Sequence, residues 1–174
     1  MPAEIPKNKL IIFGGLPGVG KSTLSKYMAR KYQMTYLRID EIEQAIQRVK
    51  KGDVGPEGYG VAYRIALDNL SNGLSVIADS VNPIEITRSD WKKVAQEADT
   101  PCIQIEVICS DLVEHQSRIE KRLPEIPHHK LPTWTDVVNR DYETWHGTDI
   151  VIDTGIQSLD QSKRQLDIFF DNVK

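Results

Sequence analysis

Short apolar runs alternate with longer amphipathic stretches along this chain. Leu10-Ile11-Ile12-Phe13 reads as a strand buried on both faces, and residues 21 to 33 read as a helix. The same alternation predicts strands at Tyr36 to Ile39, Ser75 to Ala78, Ile103 to Cys109 and Asp149 to Ile152. Helices are predicted at 41 to 50, at 61 to 72, from Asn82-Pro83 (with Pro83 as first helical residue) to about Asp99, after a cap at Asp111 and Glu114, and at 158 to 170. Residues 51 to 60, with four glycines and a proline, read as a flexible loop. Residues 123 to 132 hold three prolines and no helical period, and Thr133 to Asp136 has capping-box spacing for a helix running to about His146. Repeated strand–helix alternation argues a five-stranded parallel sheet with helices on both faces, in one domain spanning 1–174, with an excursion at about 118–147 that predicts a lid. Ligands of such sheets bind beyond the carboxyl ends of the strands.

Composition narrows the classes. The chain has 174 residues, 40% hydrophobic and 27% charged, with a formal charge of −3. That is ordinary for a globular protein and argues against a globally basic nucleic-acid binder. The run Leu10 to Phe13 is too short to span a membrane, and the N-terminal residues lack a signal-peptide pattern. Cys102 and Cys109 have no zinc spacing and read as reduced thiols of a cytoplasmic protein.

The first strand runs into Gly15-Leu16-Pro17-Gly18-Val19-Gly20-Lys21-Ser22-Thr23, a complete G-x-x-x-x-G-K-[ST] pattern between a strand and a helix. Glycines let the backbone turn tightly around phosphate oxygens, and successive N–H groups converge at the positive end of the following helix. Lys21 is placed to reach the β- and γ-phosphates of ATP, and the Ser22 hydroxyl to ligate Mg²⁺. No Asn-Lys-x-Asp guanine motif and no Leu-Ser-Gly-Gly signature follows, so a small kinase fits better than a switch GTPase or an ABC ATPase.

The other candidates follow strands or flank them. Asp40 ends the second strand, where a carboxylate can accept the proton of an acceptor hydroxyl; its spacing to Glu43 is equally that of a helix capping box. Asp79 ends the apolar strand Ser75-Val76-Ile77-Ala78, which suits Mg²⁺, the acceptor, or a plain turn. Arg118 and Arg122 lie one helical turn apart at the entrance of the excursion, suited to closing over ATP or to pairing with Glu114 and Glu120 on a solvated face. Arg64 and Arg88 flank the third strand and are candidates for an anionic acceptor or for plain surface positions. Trp91 shares a helical face with Val94 and Ala98 and reads as core. His128 and His129 lack the further ligands a metal needs, and Trp134, Tyr142 and Trp145 read as small-lobe packing.

Gly15 to Thr23, Asp40, the Val76-Ile77-Ala78-Asp79 strand and Arg118-x-x-x-Arg122 together resemble small P-loop kinases, the AAA_33 type above all, which are similar to polynucleotide kinase, zeta toxins and chloramphenicol phosphotransferase. Leu131-Pro132-Thr133-Trp134, with Arg140, Tyr142 and Trp145, then Ile152-Asp153-Thr154, also resembles a bacterial subgroup. The resemblance covers roughly residues 9 to 156. It implies an ATP- and Mg²⁺-dependent transfer to a hydroxyl of a small molecule, with Asp40 as general base, Lys21 and Arg122 catalytic, and Arg118 and Arg122 in the lid. Two departures matter: Glu43 stands where polynucleotide kinases typically carry arginine, and Ile39-Asp40-Glu41-Ile42-Glu43 replaces the substrate segment of adenylylsulfate kinases. A polynucleotide 5′-hydroxyl acceptor and a regulatory protein with slow ATP hydrolysis stand as the alternatives.

Overall fold

Alternate residues of Leu10–Gly14 (β1) feed two separate cores, which is what a strand covered on both faces requires. Ile11 and Phe13 pack with Leu24 and Met28 of α1 (Lys21–Tyr32) and with Leu166 and Phe170 of α7 (Leu159–Asn172). Leu10 and Ile12 pack on the other face with Ala62, Ala66 and Leu70 of α3 (Glu57–Ser71) and Trp91 and Val94 of α4 (Glu85–Glu97). The computed structural model describes residues 8–126 and 130–172.

The sheet is completed by β2 (Thr35–Arg38), β3 (Val76–Asp79), β4 (Cys102–Ile108) and β5 (Ile150–Asp153). All pairings are parallel, and the order is β2-β3-β1-β4-β5. The strand order reverses beside β1, so the loop after β1 opens at a topological switch point. Register brings Arg38, Asp79 and Phe13 to one level at the carboxyl edge.

The remaining helices are α2 (Ile39–Lys50), α5 (Leu112–Lys121) and α6 (Trp134–Val138). Four boundaries differ from the sequence expectations. Helix α2 begins at Ile39, which puts Asp40 inside its first turn, where it makes no cap; the capping-box reading of Asp40 and Glu43 is not what forms. Helix α3 begins at Glu57, inside the glycine-rich stretch, because Gly58 lets α3 press against α2: a Cβ there would collide with Glu43 Cγ. Helix α4 begins at Glu85, so Pro83 lies ahead of the helix rather than at its first position. Helix α6 has the Thr133–Asp136 capping box but stops at Val138, because the chain from Asn139 onward is drawn across the sheet. There Trp145 is buried, with its indole N–H donating to Gln104 (3.1 Å), and Tyr142 donates to Glu106 (2.9 Å). This segment covers the half-buried face of β4.

Cys102 and Cys109 are both free thiols, and burial pushes Cys102 up to about 11. No helix among the described residues is long and apolar enough to cross a membrane.

Candidate functional site

The loop from Gly15 to Gly20 is shaped by backbone that only glycine adopts readily: Gly15, Gly18 and Gly20 have φ of 137°, 82° and 94°. Its carbonyls are tied outward. His115 Nε2 lies 2.7 Å from the Pro17 oxygen, and the Thr154 hydroxyl donates to the Val19 oxygen at 2.7 Å. The backbone N–H groups of Gly20, Lys21 and Ser22 have no protein acceptor among the described residues. Three successive donors therefore face one point at the positive end of α1, an arrangement that fits phosphate oxygens. Leu16 packs on the core, and Thr23 is exposed at the rim.

Lys21 is buried, and desolvation lowers its pKa against the opposing pull of Asp79 and Asp40. Asp79 is 2% exposed and lies behind the loop. Its Oδ2 accepts from Tyr36 (2.6 Å) and Ser25 (3.1 Å). Burial, with the Asp79 charge, raises the Tyr36 phenol, which stays a proton donor. With Oδ2 engaged and the Ser22 hydroxyl one helical turn before Ser25, the donor set here is oxygen-rich and suits a hard cation such as Mg²⁺. Among the described residues, no group of three or more His, Cys, Asp and Glu forms a preassembled metal cage.

Two clefts open beside Lys21. The first, of about 400 Å³, runs from Gly18 and Gly20 past Ser22 to Arg118, Thr154 and Gln157. The second, of about 510 Å³, contains Asp40, Glu43, Tyr59, Ser80, Lys130 and Arg140. Lys21 and Arg122 line both. Lys21, Asp40 and Arg122, widely separated in sequence, are thus brought together where the clefts meet. Asp79 sits beneath this junction and Ser22 on the first-cleft side.

Arg118 is held firmly: its Nε donates to Glu114 (2.8 Å), and its two terminal nitrogens donate to the Thr154 hydroxyl and carbonyl (2.8 and 3.0 Å). The predicted Glu114 pair and a place on the first cleft hold together. Arg122 ends α5 with extended backbone, facing both clefts.

Two candidates are not at the site. Arg88 is fully buried. It donates to four carbonyls: Asn82 (2.9 Å), Thr144 (3.0 Å), Pro83 (3.2 Å) and Glu143 (2.6 Å). Its guanidinium also lies 4.9 Å from the Trp145 ring centre and 5.3 Å from that of Tyr142. Four of its five N–H groups are spent on tying the chain after α6 to the segment before α4, so Arg88 does not meet an acceptor. Arg64 is exposed on α3 and lines neither cleft. The excursion at 118–147 divides accordingly: Arg118 to Glu125 borders the first cleft, Lys130 to Arg140 borders the second, and 141–147 is fastened down. His128 and His129 lie outside the described residues.

Several site residues carried no sequence signal. Arg38 is buried at the carboxyl end of β2, 3.6 Å from Asp40 and 2.8 Å from Glu125, and Glu125 also takes Lys26 at 2.8 Å. These cations hold the Glu125 carboxyl down at about 2. Glu43 is the opposite case, pushed up to about 7 by burial and by Asp40, with Arg140 countering. His115, 3% exposed and edge-on to Trp134, braces the loop. In the sequence, Glu43 is marked by its spacing to Asp40 and as a departure from polynucleotide kinases, and Leu131, Pro132, Trp134, Arg140 and Thr154 through the subgroup resemblance.

Comparison with known proteins bears on the fold and the family. L-seryl-tRNA(Sec) kinase of Methanococcus maripaludis is 35% identical over 102 residues, which is 55% of this chain; the match spans about two fifths of that relative's length, 39%. The APS kinase of Mycobacterium tuberculosis, solved in complex with AMPPNP and APS, superposes with a TM-score of 0.70 at 20% identity, over 95% of this chain and 99% of that one. A gluconokinase from Sinorhizobium meliloti 1021 superposes with 0.65 at 15% identity, over 97% and 94%. The fold is that of P-loop kinases. The family model for AAA_33, described as an AAA domain, matches residues 10–140, and the chain belongs to that family.

Proposed function

We propose that this protein is an ATP-dependent phosphotransferase that moves the γ-phosphoryl group of Mg-ATP to a hydroxyl of a small acceptor. One observation carries the reading: two clefts meet at Lys21 and Arg122, with the phosphate-type loop on one side and Asp40 on the other. A hydrolase needs one pocket and a water. Two pockets that share their cations suit a donor and an acceptor brought end to end.

In this reading the N–H groups of Gly20 to Ser22 hold the β- and γ-phosphates. Lys21 and Arg122 stabilise charge on the transferring group, and burial of Lys21 strengthens that attraction. Arg118 stands at the nucleoside end of the first cleft. The Ser22 hydroxyl, with Asp79 behind it, holds Mg²⁺, which supplies charge neutralisation on the phosphates. Asp40 accepts the acceptor hydroxyl's hydrogen bond and takes its proton as the new P–O bond forms. Asp40 remains available because Arg38 approaches it only to 3.6 Å and spends its short bond on Glu125.

A second reading, a hydroxyl carried on nucleic acid, is favoured by the likeness to L-seryl-tRNA(Sec) kinase. The net charge of −3 and the small second cleft favour a small molecule. Mg-ATP turnover is measured against hydroxyl acceptors: sugars, sugar acids, nucleosides, aminoglycosides, chloramphenicol and 5′-hydroxyl oligonucleotides, with Lys21→Ala as the blank. Acceptor-dependent ADP release supports the reading. Equal slow release with every acceptor overturns it in favour of a nucleotide-dependent regulator. Stimulation by oligonucleotide alone, lost steeply with salt, moves the assignment to the nucleic-acid reading.

A further inference from the structure

The second cleft carries two cations that the transfer itself does not use. Lys130 and Arg140 line its outer wall, and neither side chain makes a hydrogen bond or ion pair among the described residues. Of the acids on this wall, Asp136 feels both cations through space but gives its hydrogen bonds to its own helix cap. Asp136 spends its Oδ2 on the Thr133 N–H and hydroxyl, both at 2.8 Å. Glu43 is half-buried and holds its proton into the neutral range. Asp40 faces Arg38 and the reaction centre. With the nucleotide phosphates answering Lys21 and Arg122, Lys130 and Arg140 are the cations left in the cleft; they face Asp136 and, for Arg140, Glu43 through space rather than through a hydrogen bond. The cleft wall also carries the apolar side chains of Ile39, Val81, Pro83 and Leu131 beside the hydroxyls of Tyr59, Ser80 and Thr87.

We propose that Lys130 and Arg140 form an anion-binding subsite, and that the acceptor is a small hydroxyl compound bearing a carboxylate, phosphate or sulfate at its far end. The inference rests on the reading of this cleft as the acceptor pocket. Two cations converging on one anion give charge-assisted hydrogen bonds, and the arginine fork suits a planar or tetrahedral oxyanion. A cleft of about 510 Å³ is the size of a ligand such as a sugar acid or a nucleotide.

The test fills the phosphate loop with excess AMPPNP and Mg²⁺, then titrates the full chain by ¹⁵N–¹H correlation spectroscopy. Inorganic phosphate and glycerol 3-phosphate are the anionic probes, and glycerol is the neutral control. The expected result is saturable shifts around Lys130 and Arg140 with both anions and none with glycerol. Arg140→Ala and Lys130→Ala each weaken binding about tenfold, the loss of one charge-assisted bond, while Lys163→Ala, on the far side of α1, leaves it unchanged. Both cleft residues are exposed, so superposable spectra verify that the variants fold. Absence of saturable shifts, equal response to glycerol, or unchanged affinity in both cleft variants overturns the subsite. Anion binding without phosphorylation of any acceptor in the turnover panel counts against the kinase reading alone; phosphorylation confined to uncharged acceptors counts against the subsite alone.

Discussion

Replacing Arg88 with methionine removes the group that fastens residues 141–147 to the rest of the protein. Methionine keeps an unbranched stem of similar length, so the perturbation is the loss of the guanidinium. Four carbonyls lose their donor: Asn82, Pro83, Glu143 and Thr144. A hydrogen bond from a charged donor contributes about 1.5–3 kcal/mol. The four do not add, because Glu143 and Thr144 lie in a segment that can swing out and hydrate. The Asn82 and Pro83 carbonyls stay against buried Trp91 and β1, so about two bonds are lost without replacement. That sets a cost of about 4 kcal/mol, with the stacking on Trp145 and Tyr142 contributing about 1 kcal/mol more. Against a total stability of about 5–15 kcal/mol, this is a large fraction. At roughly 2–4 °C per kcal/mol for a chain of this size, the total of about 5 kcal/mol lowers the melting midpoint by about 10–20 °C. Thermal unfolding followed by far- and near-ultraviolet circular dichroism reads it directly. Arg88→Lys keeps the charge but not the fork and falls between the two. A methionine variant melting within about 3 °C of the wild type would refute the assignment of Arg88 as a structural clamp.

Other outcomes follow from the same structure. Gly15→Ala places a Cβ against the Val107 carbonyl at a φ of 137°; melting falls by several degrees and nucleotide affinity, read by calorimetry, by more than about tenfold. Glu43, pushed up to about 7 from 4.5, keeps a proton that the unfolded chain has already released, so its contribution lowers stability as pH rises through that window. Glu43→Gln therefore stabilises the protein at pH 8.5, by at most about 3 kcal/mol, and by nothing at pH 4.5; urea midpoints at both pH values check this. Glu125, held at about 2, contributes above pH 4.5 and loses its contribution as pH falls toward 2. It is more than half exposed, so Glu125→Gln costs less than about 1 kcal/mol at pH 7, and added salt shrinks the difference between the urea midpoints.

The parts of this molecule that could be read from the chain are those whose physics is local. Leu10 to Phe13 and Val76 to Asp79 are apolar runs because both faces of the sheet are covered, and their order of appearance dictates a parallel arrangement. The phosphate-type loop was legible because its glycines, lysine and serine act at fixed spacing. The misread elements depend on partners far along the chain. Gly58 looks like loop until Glu43 is seen to need the space. Residues 139 to 146 look helical until Arg88, from another helix, is found holding them extended. An arginine in an amphipathic stretch gives no sign of whether it will be buried. Arg88 therefore passed for a ligand-binding residue, while Arg38 and its bridge to Glu125 went unmarked. The join between the two clefts depends on Lys21, Asp40 and Arg122 converging, which no spacing encodes.

The central claim is that Asp40 serves an acceptor hydroxyl and not the nucleotide. It is tested by comparing wild type and Asp40→Asn for γ-phosphoryl transfer to the best acceptor found, with Mg-ATP affinity measured on the same preparations. The account predicts transfer reduced by about 10² to 10⁴, the ordinary contribution of general-base catalysis, with nucleotide affinity unchanged within about twofold. Transfer at the wild-type rate, or loss of nucleotide binding in parallel with transfer, would contradict it.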